Sequence, residues 1–440
     1  MAECSCAFCQ TKIEFNVPRE LLERIADGRC VIFAGAGIST ENRLHCKSTF
    51  YEQIRDEAGV DQDLDFPSLM SVYCRQPDGR IKLIQRIRER IEYFRSFRGF
   101  YRPMTAFHRA LRPLFMINDV ITTNWDDFLE VEAGFVPFVY DQDIPFIESS
   151  NRRVIKIHGS ITNFGSIVAT SEDYSKALRR LNKGALGAYL KTILSTKTIV
   201  YIGYSLRDQN YLKLAQSISR LMGQFSRSAY FVSPYIDDDY LKSTKLNIIP
   251  IKTDGSYFLE QIRLHHNATS CDHKKIIGEE AFERAELFLI DVNEYHTYTA
   301  EKFRETNRNL LILALSYQDG LQDALMRIKD MRNTGVYYNS EHILMLAHGY
   351  ERKVESYLSN DNFWDACYCR GYQNGLLFLL EPEQGAVPPM VDVCFDDNIY
   401  TTPKAMKYPY RNLPNSVKEE LQQLSLRLGE SMIPEHLPYV

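Results

Sequence analysis

The stretch VIFAGAGIST, residues 31–40, runs from an apolar, strand-like segment into two glycines. A plain turn needs at most one. Gly35 and Gly37, on either side of Ala36, imply that something approaches the backbone where any side chain would collide. A nucleotide and a neighbouring helix are the two candidates. The third position of a dinucleotide-type glycine fingerprint carries Thr40 instead of glycine or alanine, so the pattern departs from the usual one.

Six more strand-like runs follow: DVITT (119–123), FVPFVY (135–140), RVIKI (153–157), TIVYI (198–202), AYFVS (229–233) and NIIPI (247–251). Most are continuously apolar instead of alternating, as expected for parallel strands covered on both faces. Helical stretches separate several of them. The expected fold is therefore α/β: a Rossmann-like, doubly wound, mostly parallel sheet with a helical insertion at about 50–112 and a C-terminal, mainly helical domain. Within the insertion, Ile84, Ile87, Ile91 and Phe94 recur at helical spacing across 80–100, and arginines cover much of the remaining surface. A phosphate or nucleic-acid contact and a solvated face balanced by Glu89 and Glu92 are the two readings of those arginines.

The carboxyl ends of strands are where open α/β sheets bind ligands. Four of these ends carry unusual residues: Gly35-Ala36-Gly37 and Ser39 after 30–34, Asn124-Trp125-Asp126-Asp127 after 119–123, His158-Gly159-Ser160 after 153–157, and Gly203-Tyr204-Ser205-Leu206-Arg207-Asp208 after 198–202. Four such ends on one sheet edge describe a pocket for a polar, phosphate-bearing ligand. The glycine turn is expected to present backbone N–H groups and a helix N-terminus to a pyrophosphate. The chain has no GxxxxGK[ST], HExxH or GxSxG motif, which argues against P-loop, zinc-protease and common esterase chemistry. Tyr204 and Trp125 read as packing residues.

Composition narrows the class further. The chain is 45% hydrophobic and 25% charged with a net charge of -5, the balance of an ordinary globular protein and not of a general polyanion binder. No apolar run is long enough to span a bilayer, and the start lacks the pattern of a secretory signal, so a cytoplasmic protein is expected. The ten cysteines are mostly scattered, which suggests free thiols. Cys4, Cys6 and Cys9, and the pair Cys367 and Cys369, lack the paired spacing of a zinc module.

Taken together, these motifs resemble the sirtuin family, over roughly residues 20 to 265. GAGIS (35–39) is similar to its glycine motif. Thr123-Asn124-Trp125-Asp126 stands where sirtuins carry Thr-Gln-Asn-Ile-Asp. Ile157-His158-Gly159 is similar to the catalytic-histidine motif, and Gly203-Tyr204-Ser205 to the late glycine-serine motif. Deacylase sirtuins also have a proline-aspartate-phenylalanine-arginine run after the glycines and a four-cysteine zinc module. Here Ser39-Thr40-Glu41-Asn42-Arg43 replaces the first, and no cysteine lies between His158 and Gly203. The resemblance is thus to the sirtuin-like NAD hydrolases of prokaryotic anti-phage defence.

That resemblance implies NAD as substrate, no metal, and cleavage of the nicotinamide–ribose bond by Asn124, His158 and Asp126. Asn124 would orient the ribose and water. His158 would bind ribose hydroxyls or act as a general base, and Asp126 would bind a hydroxyl or the nicotinamide end. Gly35, Ala36, Gly37 and Ser39 would hold the pyrophosphate. Ser205 would take the adenosine ribose, with Thr123 and Gly203 in the same site. A homo-oligomer and a partner, such as a HerA-type ATPase or another defence subunit, are implied too. An NAD-dependent deacylase and a non-catalytic NAD or ADP-ribose sensor are the competing readings.

The expected domains are an arm at 1–20, the NAD-binding domain at 21–270 and a helical domain at 275–440 for assembly or docking. Tyr337, Tyr338 and Trp364 are its expected interface aromatics. Residues 376–416 read as proline-rich and irregular, with one strand at 391–395, and residues 417–428 as a closing helix.

Overall fold

The computed structural model of the chain describes residues 10–39, 42, 44, 46–271, 274–306, 310–380, 387–395, 408–428, 433 and 435–438. Thr40, Glu41, Arg43 and the cluster Cys4, Cys6 and Cys9 lie outside the described residues. The chain divides into two compact units, Met1–Ala268 and Thr269–Val440.

The first unit is built on seven strands: β1 (Cys30–Ala34), β2 (Asp119–Thr122), β3 (Val136–Phe138), β4 (Arg153–Lys156), β5 (Thr198–Ile202), β6 (Ala229–Ser233) and β7 (Ile248–Lys252). Their order is β3-β4-β2-β1-β5-β6-β7, and every pairing is parallel. All five residues of β1 are buried, as a central strand covered on both faces requires. Proline occurs in two strands, Pro137 of β3 and Pro250 of β7, and both are sheet edges, where a missing N–H breaks no ladder.

From the central β1 the connections run outward to β2, β4 and β3 on one side and to β5, β6 and β7 on the other. The switch point therefore lies between β1 and β5. Register sets Ala34 beside both Thr122 and Ile202, and Thr122 beside Lys156. The carboxyl ends of β4, β2, β1 and β5 thus form one row, the four ends that the sequence marks out.

Five helices stand between β1 and β2: Phe50–Ala58, Phe66–Cys74, Gly79–Ser96, Arg98–Met104 and Ala106–Leu111. Thr49 opens the first with a capping box to Glu52, and the Asp65 side chain caps the second. Leu83, Ile87, Ile91 and Phe94 form the buried stripe of the third and join Phe50, Ile54 and Leu69 in a separate core cluster. Several arginines of that helix pair with acidic residues at a partly exposed surface. Arg80 pairs with Asp173 at 2.8 Å, Arg86 with Glu57 at 3.0 Å, and Arg95 with Asp127.

The second unit holds helices Glu279–Thr306, Leu310–Asp330, Ser340–Ser359, Phe363–Leu380 and Asn415–Leu428. Leu310–Asp330 is buried over most of its circumference, which makes it the central helix. It meets Phe363–Leu380 through glycines. A Cβ on Gly320 would lie 2.0 Å from the Tyr368 carbonyl oxygen, and one on Gly371 would lie 1.9 Å from that of Tyr317.

Three expectations for this region are corrected. Helix Phe363–Leu380 extends into the stretch read as irregular. Residues 391–395 form no strand: the Asp392 side chain accepts the Cys394 N–H at 2.9 Å, so a local turn takes the place of a ladder, and Val391 and Val393 are buried all the same. Tyr337, Tyr338 and Trp364 are buried inside the unit and present no interface. Cys367 and Cys369 are likewise buried. No helix of the described residues is long and apolar enough to cross a membrane.

Candidate active site

The two glycines of the opening stretch answer to a neighbouring strand end. Gly35 N donates to Ile202 O at 3.1 Å and Gly37 N to Gly203 O at 2.9 Å, so the turns after β1 and β5 cross backbone against backbone. A Cβ on Gly35 would stand 2.5 Å from Gly203 O, and one on Gly203 2.6 Å from Ile38 N. Gly203 also has φ +60°, in the left-handed region that favours glycine. Two of the three amides expected to cradle a pyrophosphate are therefore spent inside the protein. The expected helix N-terminus is a single 3-10 turn, Ala36–Ile38.

Behind this crossing lies a directional hydrogen-bond chain. Asn124 Nδ2 donates to Ser39 Oγ at 2.9 Å and to Gly35 O at 3.2 Å. Ser39 Oγ in turn donates to Asp126 Oδ2 at 2.9 Å. A carboxylate can only accept, so Ser39 must donate to it and receive from the amide nitrogen. This fixes the orientation of the Asn124 amide. Its Oδ1 is buried, has no hydrogen-bond partner among the described residues, and belongs to a side chain lining the large cavity of the unit. Ser39 is fully buried and does not line that cavity, so its role differs from the expected pyrophosphate contact. Asp126 uses its other oxygen to accept the Phe128 N–H at 3.2 Å, next to helix Phe128–Ala133.

On the far side, His158 Nε2 stands 2.9 Å from Asp208 Oδ2, with both side chains almost wholly buried. The sequence quotes Asp208 at the end of β5 but gives it no task. The pairing spans 50 residues and exists only because β4 and β5 end in the same row. Asp208 Oδ1 accepts the N–H groups of Asn210 and Tyr211 and so caps helix Gln209–Met222. Burial pushes the Asp208 carboxyl up, but the His158 ring and those two N–H groups outweigh it and hold the group below its ordinary value.

These residues line a cavity of about 900 Å³. Its polar wall is Thr123, Asn124, Asp126, His158, Ser205 and Asp208, and Ala36, Gly37 and Gly203 form its floor. The insertion lines it through Phe50, Phe66, Ile87 and Ile91 together with Asp63, Asp65 and Arg90. Trp125 packs on Phe50 and Phe66, each at 5.9 Å between ring centroids, and its Nε1 is buried without a hydrogen-bond partner among the described residues. Tyr204 packs on Phe33 at 4.4 Å. A second cavity of about 390 Å³ shares Gly37, Gly203, Ser205 and Arg207 with the first and extends over β6 to Asp237 and Asp254. Among the described residues no group of His, Cys, Asp or Glu is placed to hold a metal ion.

An open, wholly parallel sheet with two cavities meeting at its switch point places the unit in the doubly wound α/β class. Residues 118–251 match the SIR2-like domain. The chain is 28% identical over 220 residues to the NAD(+) hydrolase ThsA of Cytobacillus dafuensis, covering 48% of this chain and 42% of that protein. It is 25% identical over 288 residues to the NAD(+) hydrolase ThsA of Enterococcus faecium, covering 63% and 55%. It is 24% identical over 226 residues to Defense-associated sirtuin 2 of Bacillus subtilis, covering 49% and 22%. The chain thus spans about half or less of the length of these curated relatives.

Proposed function

We propose that the first unit is an NAD glycohydrolase that releases nicotinamide and ADP-ribose, acts in anti-phage defence, and is controlled by assembly or by a partner such as a HerA-type ATPase. The observation that carries the reading is Asn124 Oδ1, a buried acceptor of fixed orientation in the wall of a cavity at the switch point. The names of the relatives support the same chemistry. NAD would extend across the β1–β5 crossing, with the nicotinamide ribose over β1, β2 and β4 and the adenosine over β5 and β6.

The reaction asks little of an acid, because nicotinamide leaves as a neutral base from a cation. The glycosidic bond breaks with its electron pair going to the pyridine nitrogen, and positive charge develops on the ribose. Asn124 Oδ1 accepts from a ribose hydroxyl or from the attacking water and holds it in line. His158 Nδ1 takes the proton of that hydroxyl or water, and Asp208 steadies the imidazole as it gains charge. The apolar wall formed by Phe50, Phe66, Ile87 and Ile91 shields the departing base from bulk solvent.

The test is nicotinamide release from NAD by the full chain, alone and with the protein encoded beside it. Asn124→Ala is expected to lower the rate by about 100- to 1000-fold, the usual loss when a positioned polar group that acts in the transition state is removed. A variant that releases nicotinamide at near the native rate overturns the site. NAD binding without release under either condition would point instead to a sensor.

A further inference from the structure

We propose that Lys156 is a positioning residue that pins the loop carrying Asn124 and Asp126, an inference that rests on the NAD-hydrolase reading. Lys156 ends β4, two residues before His158, and its side chain is completely buried. Its Nζ donates to the main-chain carbonyl of Asp126 and, at 2.9 Å, to Glu130 Oε1. Other anchors hold the loop at its flanks and side chains, among them Arg95 on Asp127, the Phe128 N–H on Asp126 Oδ1 and Trp125 against Phe50 and Phe66. Asn124 N donates to Thr122 Oγ1 at 3.0 Å, and Trp125 O accepts from Ile161 N at 2.7 Å. The Asp126 carbonyl is held by the lysine. Through Asp126 and Ser39 that anchor reaches the amide of Asn124, a residue that lines the cavity.

A fully buried lysine is a poor choice for stability alone. An ion pair removed from water returns little net free energy, and apolar residues of similar volume often serve the fold as well or better. Glu130 accepts the ammonium, so the cost of burying it is reduced, and burial pushes the Glu130 carboxyl up even though Lys156 draws it back. What an apolar residue could not supply is a donor to the Asp126 carbonyl. A shift of the loop by a fraction of an ångström would move Asn124 Oδ1 off the line of attack, and displacement of about 1 Å can cost on the order of 100-fold in rate.

Three variants of the full chain separate the roles of Lys156 and Glu130. Lys156→Met breaks both contacts, Glu130→Gln breaks only the ion pair, and Lys156→Met with Glu130→Met preserves an apolar packing. The expected result is a kcat about 10- to 100-fold lower in both Lys156→Met variants with KM within about 3-fold, and a kcat within about 3-fold of native in Glu130→Gln. Hydrogen exchange of the amides at 124–128 is read in parallel and is expected to quicken about 10-fold or more in the double variant, whether or not the protein turns over NAD. A folded double variant with native exchange and native kcat overturns the proposal, as does a Glu130→Gln variant as impaired as Lys156→Met. A native protein that releases no nicotinamide under any condition overturns the hydrolase reading instead, and the exchange data still decide whether Lys156 pins the loop.

Discussion

Ser39→Ala separates two accounts of the same residue. If Ser39 touched the pyrophosphate, as its place after the glycines suggests, its loss would weaken substrate binding and raise KM. The structure makes it a relay: it accepts from Asn124 Nδ2 and donates to Asp126 Oδ2, buried behind the cavity. Removing the hydroxyl deletes two hydrogen bonds and strands one amide hydrogen and one carboxylate oxygen. Each buried group left unsatisfied costs about 1–3 kcal/mol, so a loss of about 2–6 kcal/mol is expected, or several degrees in Tm for a unit of this size.

The Asn124 amide keeps its bond to Gly35 O at 3.2 Å, so its orientation weakens without being lost. Forfeiting one net hydrogen bond of about 1–1.5 kcal/mol from that preference corresponds to about a 10-fold fall in kcat, smaller than the loss in Asn124→Ala. The assay is steady-state nicotinamide release across NAD concentrations, with thermal unfolding of the same preparations. A raised KM with unchanged kcat and unchanged Tm refutes the relay and restores the pyrophosphate contact.

Other expectations rest on separate observations. Asp208→Asn retains the helix cap through Oδ1 but removes the charge beside His158, so kcat is expected to fall about 10-fold with little change in Tm; an unaltered kcat would show that the pairing is structural. His108 is fully buried with neither ring nitrogen partnered among the described residues, and burial, reinforced by Arg109 and Lys156, pushes its pKa down to about 3. It stays neutral when folded and takes up a proton only on unfolding. Its contribution is therefore complete above about pH 6.5 and is lost as pH falls toward 3, at up to about 1.4 kcal/mol per pH unit. Urea unfolding at pH 7 and pH 5 should show a drop of about 2 kcal/mol from this source that His108→Leu lacks; an equal drop in both proteins would count against it. Gly371→Ala would place a methyl group 1.9 Å from the Tyr317 carbonyl oxygen and should destabilise the second unit by about 3 kcal/mol or more, and a wild-type melting profile would contradict that helix contact.

Local pattern carried much of this protein. Seven apolar runs announced seven strands, because a strand covered on both faces has no polar side to display and its hydrophobic run is unbroken. The residues beyond β1, β2, β4 and β5 marked a candidate site because strand ends are where a parallel sheet exposes chemistry. Partners distant in the chain lay outside any local pattern. The Gly35 and Gly37 amides are taken up by the turn after β5, Ser39 is folded away behind Asn124, and Asp208 meets His158, all because the sheet order sets β4, β2, β1 and β5 side by side. Periodicity reports which face of an element is apolar, and so which residues are core. It does not report which element lies alongside. Trp364 and Tyr338 read as interface aromatics for that reason: an apolar ring bound for a partner and one bound for the core look the same until the helices around it are in place.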